Sequence, residues 1–118
     1  MEFPPCNVAV VCGVLSSDPQ VRPLPSGDAV VTYEVTVRDG GAATSTVPVA
    51  WFGPPGKAPV LAQGDAVVVT GRVNRRFFRA GGHTQSRTEL VADEVVPARR
   101  RASMARAVER SVQRLPAR

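Results

Sequence analysis

The chain has 118 residues, 43% hydrophobic and 21% charged, which fits one domain with one modest core. Its 10 glycines and 11 prolines stay below a low-complexity level, no apolar run could span a bilayer, and Met1-Glu2-Phe3-Pro4-Pro5 lacks the features of a secretory signal. The net charge of +5, carried by arginine except for Lys57, favours a polyanionic partner, although an arginine-rich codon bias explains the imbalance equally well.

Periodicity predicts strands along most of the chain. Asn7 to Leu15 is a valine-rich apolar run, with Gly13 marking a bend or bulge. Ser16-Ser17-Asp18-Pro19 turns the chain into a short piece, Gln20 to Leu24, and Pro25-Ser26-Gly27-Asp28 turns it again. Ala29 to Arg38 alternates Val31, Tyr33, Val35 and Val37 against Thr32, Glu34 and Thr36, a half-buried strand. After the loop Asp39 to Ala43, Thr44 to Phe52 reads as a strand whose Pro48 suggests an edge or a bulge. Pro59 to Gln63 forms one helical turn at most. Asp65 to Phe78 is the strongest strand signal, Arg79 to Gly82 a hairpin connection, and His83 to Val96 the return strand. Five strands in this length predict a small closed β-barrel, with a sandwich as the second choice.

Arg99 to Arg114 differs in kind. On a helical wheel Met104, Val108, Val112 and Leu115 share one stripe, with Arg99, Arg106, Arg110 and Arg114 opposite. The expectation is a basic helix that needs a surface to dock on, or a flexible tail. Cys6 and Cys12, if on one strand, share a face about 20 Å apart. That is too far to bridge, so reduced structural thiols in a cytosolic protein are expected.

Catalysis and metal binding find no seat. His83 is the single histidine and lies beside a glycine turn, and no base is placed to orient a nucleophile. Asp93 and Glu94 are neighbours on a strand, so they should face opposite ways. No enzyme, cofactor or metal is expected.

The strongest functional signal is Arg72 to Arg79 (RVNRRFFR). Alternation puts Arg72, Asn74, Arg76 and Phe78 on one face, and Val73, Arg75, Phe77 and Arg79 on the other. Val67, Val69, Gly71 and Val73 run along the second face as core, so Phe77 is expected to extend the core or pack at the barrel mouth. The first face is cationic and ends in an aromatic, as a single strand of nucleic acid requires: guanidinium groups follow phosphates and a ring stacks a base. An exposed hairpin kept soluble by arginine fits the pattern equally well. Of the neighbours Trp51 and Phe52, one should be core and the other face outward. Tyr33 fits the core or a subunit interface.

Three blocks resemble the bacterial-type single-stranded DNA-binding proteins: Asn7 to Val37, with Asp18-Pro19-Gln20-Val21-Arg22 and Pro25-Ser26-Gly27; Trp51-Phe52-Gly53; and Gly64-Asp65 through Gly71-Arg72-Val73 to Ala92. The resemblance implies a five-stranded OB-fold barrel at 7–97, an N-terminal extension at 1–6 and a basic helix or tail at 98–118. It implies a non-enzymatic, homo-oligomeric (dimeric or tetrameric), cytoplasmic and nucleoid-associated protein that binds single-stranded DNA without sequence specificity. Phe52 and Phe78 match the family's stacking positions, and Arg72 and Arg76 its basic ones. Asn74, Arg75 and Arg79 join them on the hairpin, and Trp51, Arg22, Arg99, Arg100 and Arg101 are additional candidates.

The chain also departs from the family pattern. Thr46 and Gly41 stand where other members stack aromatic rings, the proline-rich Gly53 to Gln63 replaces a helix, and an arginine-rich end replaces the acidic tip that recruits partners. A second reading is therefore an OB-fold interaction module of a replication or primosome complex that binds nucleic acid weakly. An RNA-binding barrel ranks third.

Charge is unevenly placed. Residues 1–98 hold 8 basic and 9 acidic side chains, and residues 99–118 hold 7 basic and 1 acidic. The barrel is near neutral and the end of the chain is strongly basic, so binding is expected to be local to the hairpin face, with the tail adding electrostatic pull.

Overall fold

The computed structural model describes residues 3–41 and 43–117. Met1, Glu2, Ala42 and Arg118 lie outside the described residues, and with them the outer ends of the expected extension and tail and part of the loop Asp39 to Ala43. The elements are β1 (Ala9–Leu15), β2 (Gln20–Pro23), β3 (Ala29–Val37), β4 (Ser45–Gly53), β5 (Ala66–Ala80), β6 (His83–Pro97) and α1 (Arg101–Gln113).

The strands form one sheet in the order β1-β5-β6-β4-β3-β2, and a further β1–β3 pairing closes five of them into a ring. The sixth, β2, shares an edge of β3 with β1: it pairs with Ala29 to Thr32, while β1 takes Val35 and Thr36. The predicted count of five holds for the ring, and the short piece at Gln20 adds a strand outside it.

Gly13 does mark the corner, but without a bulge. There β1 passes from its β5 ladder to β3, and a Cβ on Gly13 would collide with the Thr36 carbonyl. The close approach that shuts the ring therefore needs glycine. At the other end of β1 the Asn7 side chain extends the ladder. Its Nδ2 donates to the Val73 carbonyl at 2.8 Å, and its Oδ1 accepts from the Val73 amide at 2.9 Å.

The core follows the predicted alternation. Val31, Tyr33 and Val35 of β3 meet Val49, Val67, Val69 and Leu90 inside the ring. Pro48 is on neither an edge strand nor a bulge: β4 pairs with β3 throughout and with β6 only at Val49 and Ala50. Proline is tolerated there because its missing N–H falls outside that short parallel ladder. Residues Pro59 to Gln63 carry no helical turn, and α1 is the one helix among the described residues.

The helix docks outside the ring on a face turned from the predicted stripe: Met104 and Val108 of that stripe are partly buried. Its buried residues are Ala107 and Ser111, whereas Val112 and Leu115 are each about half exposed, at 51% and 50%. The docked face centres on the small residues Ala107 and Ser111, not on the large apolar ones. The helix packs on β5 and β6, where the outward-facing Val68, Thr70 and Val96 are buried, and small residues let it lie close. Arg110 and Arg114 flank that seam and do not point away from it.

The rule that strand neighbours face opposite ways also fails at Asp93 and Glu94. The β5–β6 register shifts between Thr70, opposite Glu94, and Gly71, opposite Ala92, which leaves Asp93 as a bulged residue. Both carboxylates consequently reach the same helix, Asp93 to Arg114 and Glu94 to Arg110. Cys6 lies before β1, and both thiols are free and exposed instead of structural.

Candidate nucleic-acid interface

Past Gly71, β5 and β6 leave the ring as a two-stranded ribbon that turns at Gly81-Gly82, both with positive φ. A two-residue turn of this kind fixes the register. Arg76 therefore faces Arg87, Asn74 faces Glu89 and Phe78 faces Gln85. Side-chain parity does the rest. Leu90 and Val49 point into the core, so Glu89 and Ala50 point outward, on the same face as Arg72, Asn74, Arg76 and Phe78.

A groove of about 530 Å³ runs across that face. Phe52, Arg22 and Arg76, all singled out from the sequence, line it together with Gln20, Arg87 and Glu89. Phe52 is 50% exposed, with its ring free on the outer side of β4. Its neighbour Trp51 turns inward and packs against the core, so it takes no part in this face. Instead, Trp51 backs a separate apolar cavity under Pro54, Pro55 and Leu61.

Acidic partners fix two of the groove's three arginines, Arg76 and Arg87. Arg76 Nε donates to Glu89 Oε1 at 2.8 Å, and its guanidinium carbon lies 5.3 Å from the centre of the Phe78 ring. Arg87 donates to Glu34 Oε1 at 2.8 Å. Arg72 and Asn74 stand exposed further along the same face. Thr46, on the outer side of β4, contacts the Thr36 hydroxyl at 3.3 Å.

The opposite face of the ribbon differs from the expectation. Phe77 does not extend the core: it is 65% exposed, with the Arg75 guanidinium 5.5 Å from its ring centre. The ribbon has outrun the ring by this point, so the apolar face of β5 has no opposing sheet to pack on. Val73, half exposed, shows the same loss of cover four residues earlier on the same face. On this face Arg75 also donates to Ser86, and Arg79 donates to the Gly82 carbonyl at the tip.

Arg99, Arg100 and Arg101 are exposed at the start of α1, the end away from Asp93 and the ribbon. The sequence reading missed Arg87 and Glu89. A signal for both existed, since the Gly81-Gly82 turn dictates which β6 residues oppose Asn74 and Arg76. Among the described residues no group of three metal-binding side chains occurs, and no helix is long and apolar enough to cross a membrane.

The model of the Single-strand binding protein family matches residues 6–98, the whole ring and its ribbon. A ring of five strands, an exposed ring of phenylalanine in an arginine-lined groove and this match over most of the chain agree. The chain belongs to the single-strand binding protein family, OB-fold proteins that bind single-stranded DNA.

Proposed function

We propose that the chain binds single-stranded DNA without sequence specificity along the groove face, protecting or organising it in replication, recombination or repair. The observation that supports this best is the half-exposed Phe52 in one groove with Arg22, Arg76 and Arg87. A base stacks on Phe52, and on Phe78 where Arg76 leaves its ring free. Arg72 and Arg76 follow the phosphates, and Asn74 lies between them. A strand that continues over the tip meets Phe77, Arg75 and Arg79. Arg99, Arg100 and Arg101 add long-range attraction.

Titration of the full chain with fluorescent oligo(dT) at two salt concentrations tests the reading. Tight binding at low salt that weakens with a steep log–log slope supports it. No binding at low salt overturns it. Binding only at very low salt favours a protein-interaction module instead.

We also propose a homo-oligomer, cytoplasmic and associated with the nucleoid. Along Ala9 to Gly13, β1 pairs with β5 on one side, and its other edge has no partner among the described residues. Light scattering after size exclusion gives the mass; a monomer at micromolar concentration overturns this part.

A further inference from the structure

We propose that Glu89 reads the base seated in the groove, favouring bases with an exocyclic amino group over thymine and uracil. The inference rests on the reading of the groove as a site for single-stranded DNA.

Glu89 is 6% exposed, yet it lines the groove. One carboxylate oxygen, Oε1, accepts from Arg76. Among the described residues Arg76 is the one donor to this carboxylate, so Oε2 keeps its lone pairs free at the groove wall. Arg76 pairs the charge of this buried carboxylate, and Oε2 still has room for a second donor. The sheet shows which donor fits. Glu89 comes one residue before the Val49–Leu90 pair of the β4–β6 ladder and so falls level with Pro48, four residues from Phe52, which is about 13 Å along a strand. Ala50, midway, is too small to fill the space. A base over Ala50 therefore has the Phe52 ring at one end and the Glu89 carboxylate at the other.

Cytosine N4 and adenine N6 donate to such a carboxylate. Thymine and uracil present O4 there, and their N3–H is flanked by two carbonyl oxygens that the carboxylate repels. Gln20 and Thr32, the neutral polar residues lining the groove, both donate and accept and so do not discriminate. Arg22 and Arg87 donate to phosphate as readily as to a carbonyl. Glu89 is the group that tells the bases apart. The preference is confined to one subsite, which leaves binding along a longer strand tolerant of sequence.

The test is equilibrium titration of the full chain with oligo(dC), oligo(dU) and an oligomer of 2-pyrimidinone, cytosine without its amino group, all of one length at low salt. Oligo(dC) is expected to bind about fivefold or more tighter than the other two. In Glu89→Gln, whose amide still accepts from Arg76 and can itself donate, the dC-to-dU ratio should fall to within about twofold. Equal affinities in the wild type overturn the proposal, as does a preference that survives in Glu89→Gln. The 2-pyrimidinone arm decides without any variant: binding as tight as oligo(dC) refutes the role of the amino group. If no oligomer binds at all, the single-stranded DNA reading falls and this inference with it.

Discussion

Arg110 grips Glu94 with a fork, Nε to Oε2 at 2.9 Å and Nη2 to Oε1 at 2.5 Å. One turn on, Arg114 Nη1 donates to Asp93 Oδ2 at 2.5 Å. These pairs tie the basic end of the chain to the β6 bulge, and they use up two of the charges that the sequence places there. They are solvent-exposed pairs, so each adds little to stability. The helix also starts against its dipole, with Arg101 in the first turn, no acid there and no side-chain cap. Docking must then rest on the apolar seam under Ala107 and Ser111.

That argument predicts the effect of filling the seam. Ala107 is fully buried, so Ala107→Leu should cost about 1–3 kcal/mol and loosen α1. Thermal unfolding should show a lower midpoint, and limited proteolysis should cut within 101–113 earlier than in the wild type. Val112→Ala, at an exposed position on the same helix, should change neither. An unmoved midpoint in Ala107→Leu would mean that the ion pairs, and not the seam, hold the helix.

A second prediction concerns alkaline pH. Tyr33 is 1% exposed, and burial pushes its pKa up to about 12 from 10.0. The unfolded phenol ionises near 10 while the folded one stays protonated, so stability is complete below pH 10. It falls as pH rises from 10 to 12, by at most about 1.4 kcal/mol per pH unit. The hydroxyl has no partner among the described residues. Tyr33→Phe should accordingly be neutral or stabilising by up to about 1 kcal/mol at pH 7. Denaturant unfolding at pH 8, 10 and 11 should show a shallower alkaline decline in the variant; parallel declines would rule Tyr33 out as its source.

The ring was largely legible in the sequence because alternation along Val31, Tyr33 and Val35, or Val67 and Val69, is a local property that burial enforces on a two-sided strand. Phe52 could be separated from Trp51 by parity, though which of them faced outward needed the sheet. What was hidden is non-local. Phe77 sits on the core parity, yet it is exposed because the ribbon outruns the ring, and no residue near it encodes where the ring ends. Asp93 and Glu94 break parity through a bulge whose cause lies in the pairing with Gly71. The charge count places seven basic residues at 99–118, but only the bulge shows that Arg110 and Arg114 are already engaged.

This engagement separates the arginines by salt dependence. Arg72 is exposed on the groove face, and a phosphate it neutralises should contribute about 0.7 to the log–log salt slope for a single strand. Arg72→Gln should lower the slope by about that amount. Arg110→Gln removes a charge already matched by Glu94, so the slope should stay within error. Titrations with oligo(dT) at five salt concentrations measure both. Equal losses in the two variants would mean that DNA binding displaces the helix from its carboxylates.

The aromatic residues give the sharpest test of which face of the ribbon carries DNA. Phe52 and Phe78 share the groove side, whereas Phe77, the most exposed of the three, lies on the other. Exposure alone would pick Phe77; strand parity picks Phe52 and Phe78. Truncating a stacking ring costs roughly 1–3 kcal/mol per base. Phe52→Ala and Phe78→Ala should therefore each weaken oligo(dT) binding by about fivefold or more. Phe78→Ala also removes the ring against which the Arg76 guanidinium rests, so its loss should match or exceed that of Phe52→Ala. Phe77→Ala should stay within about twofold for an oligomer too short to wrap the tip, and should weaken only longer ones. If Phe77→Ala is the most damaging of the three on the short oligomer, the strand runs along the outer face of the ribbon, past Arg75 and Arg79.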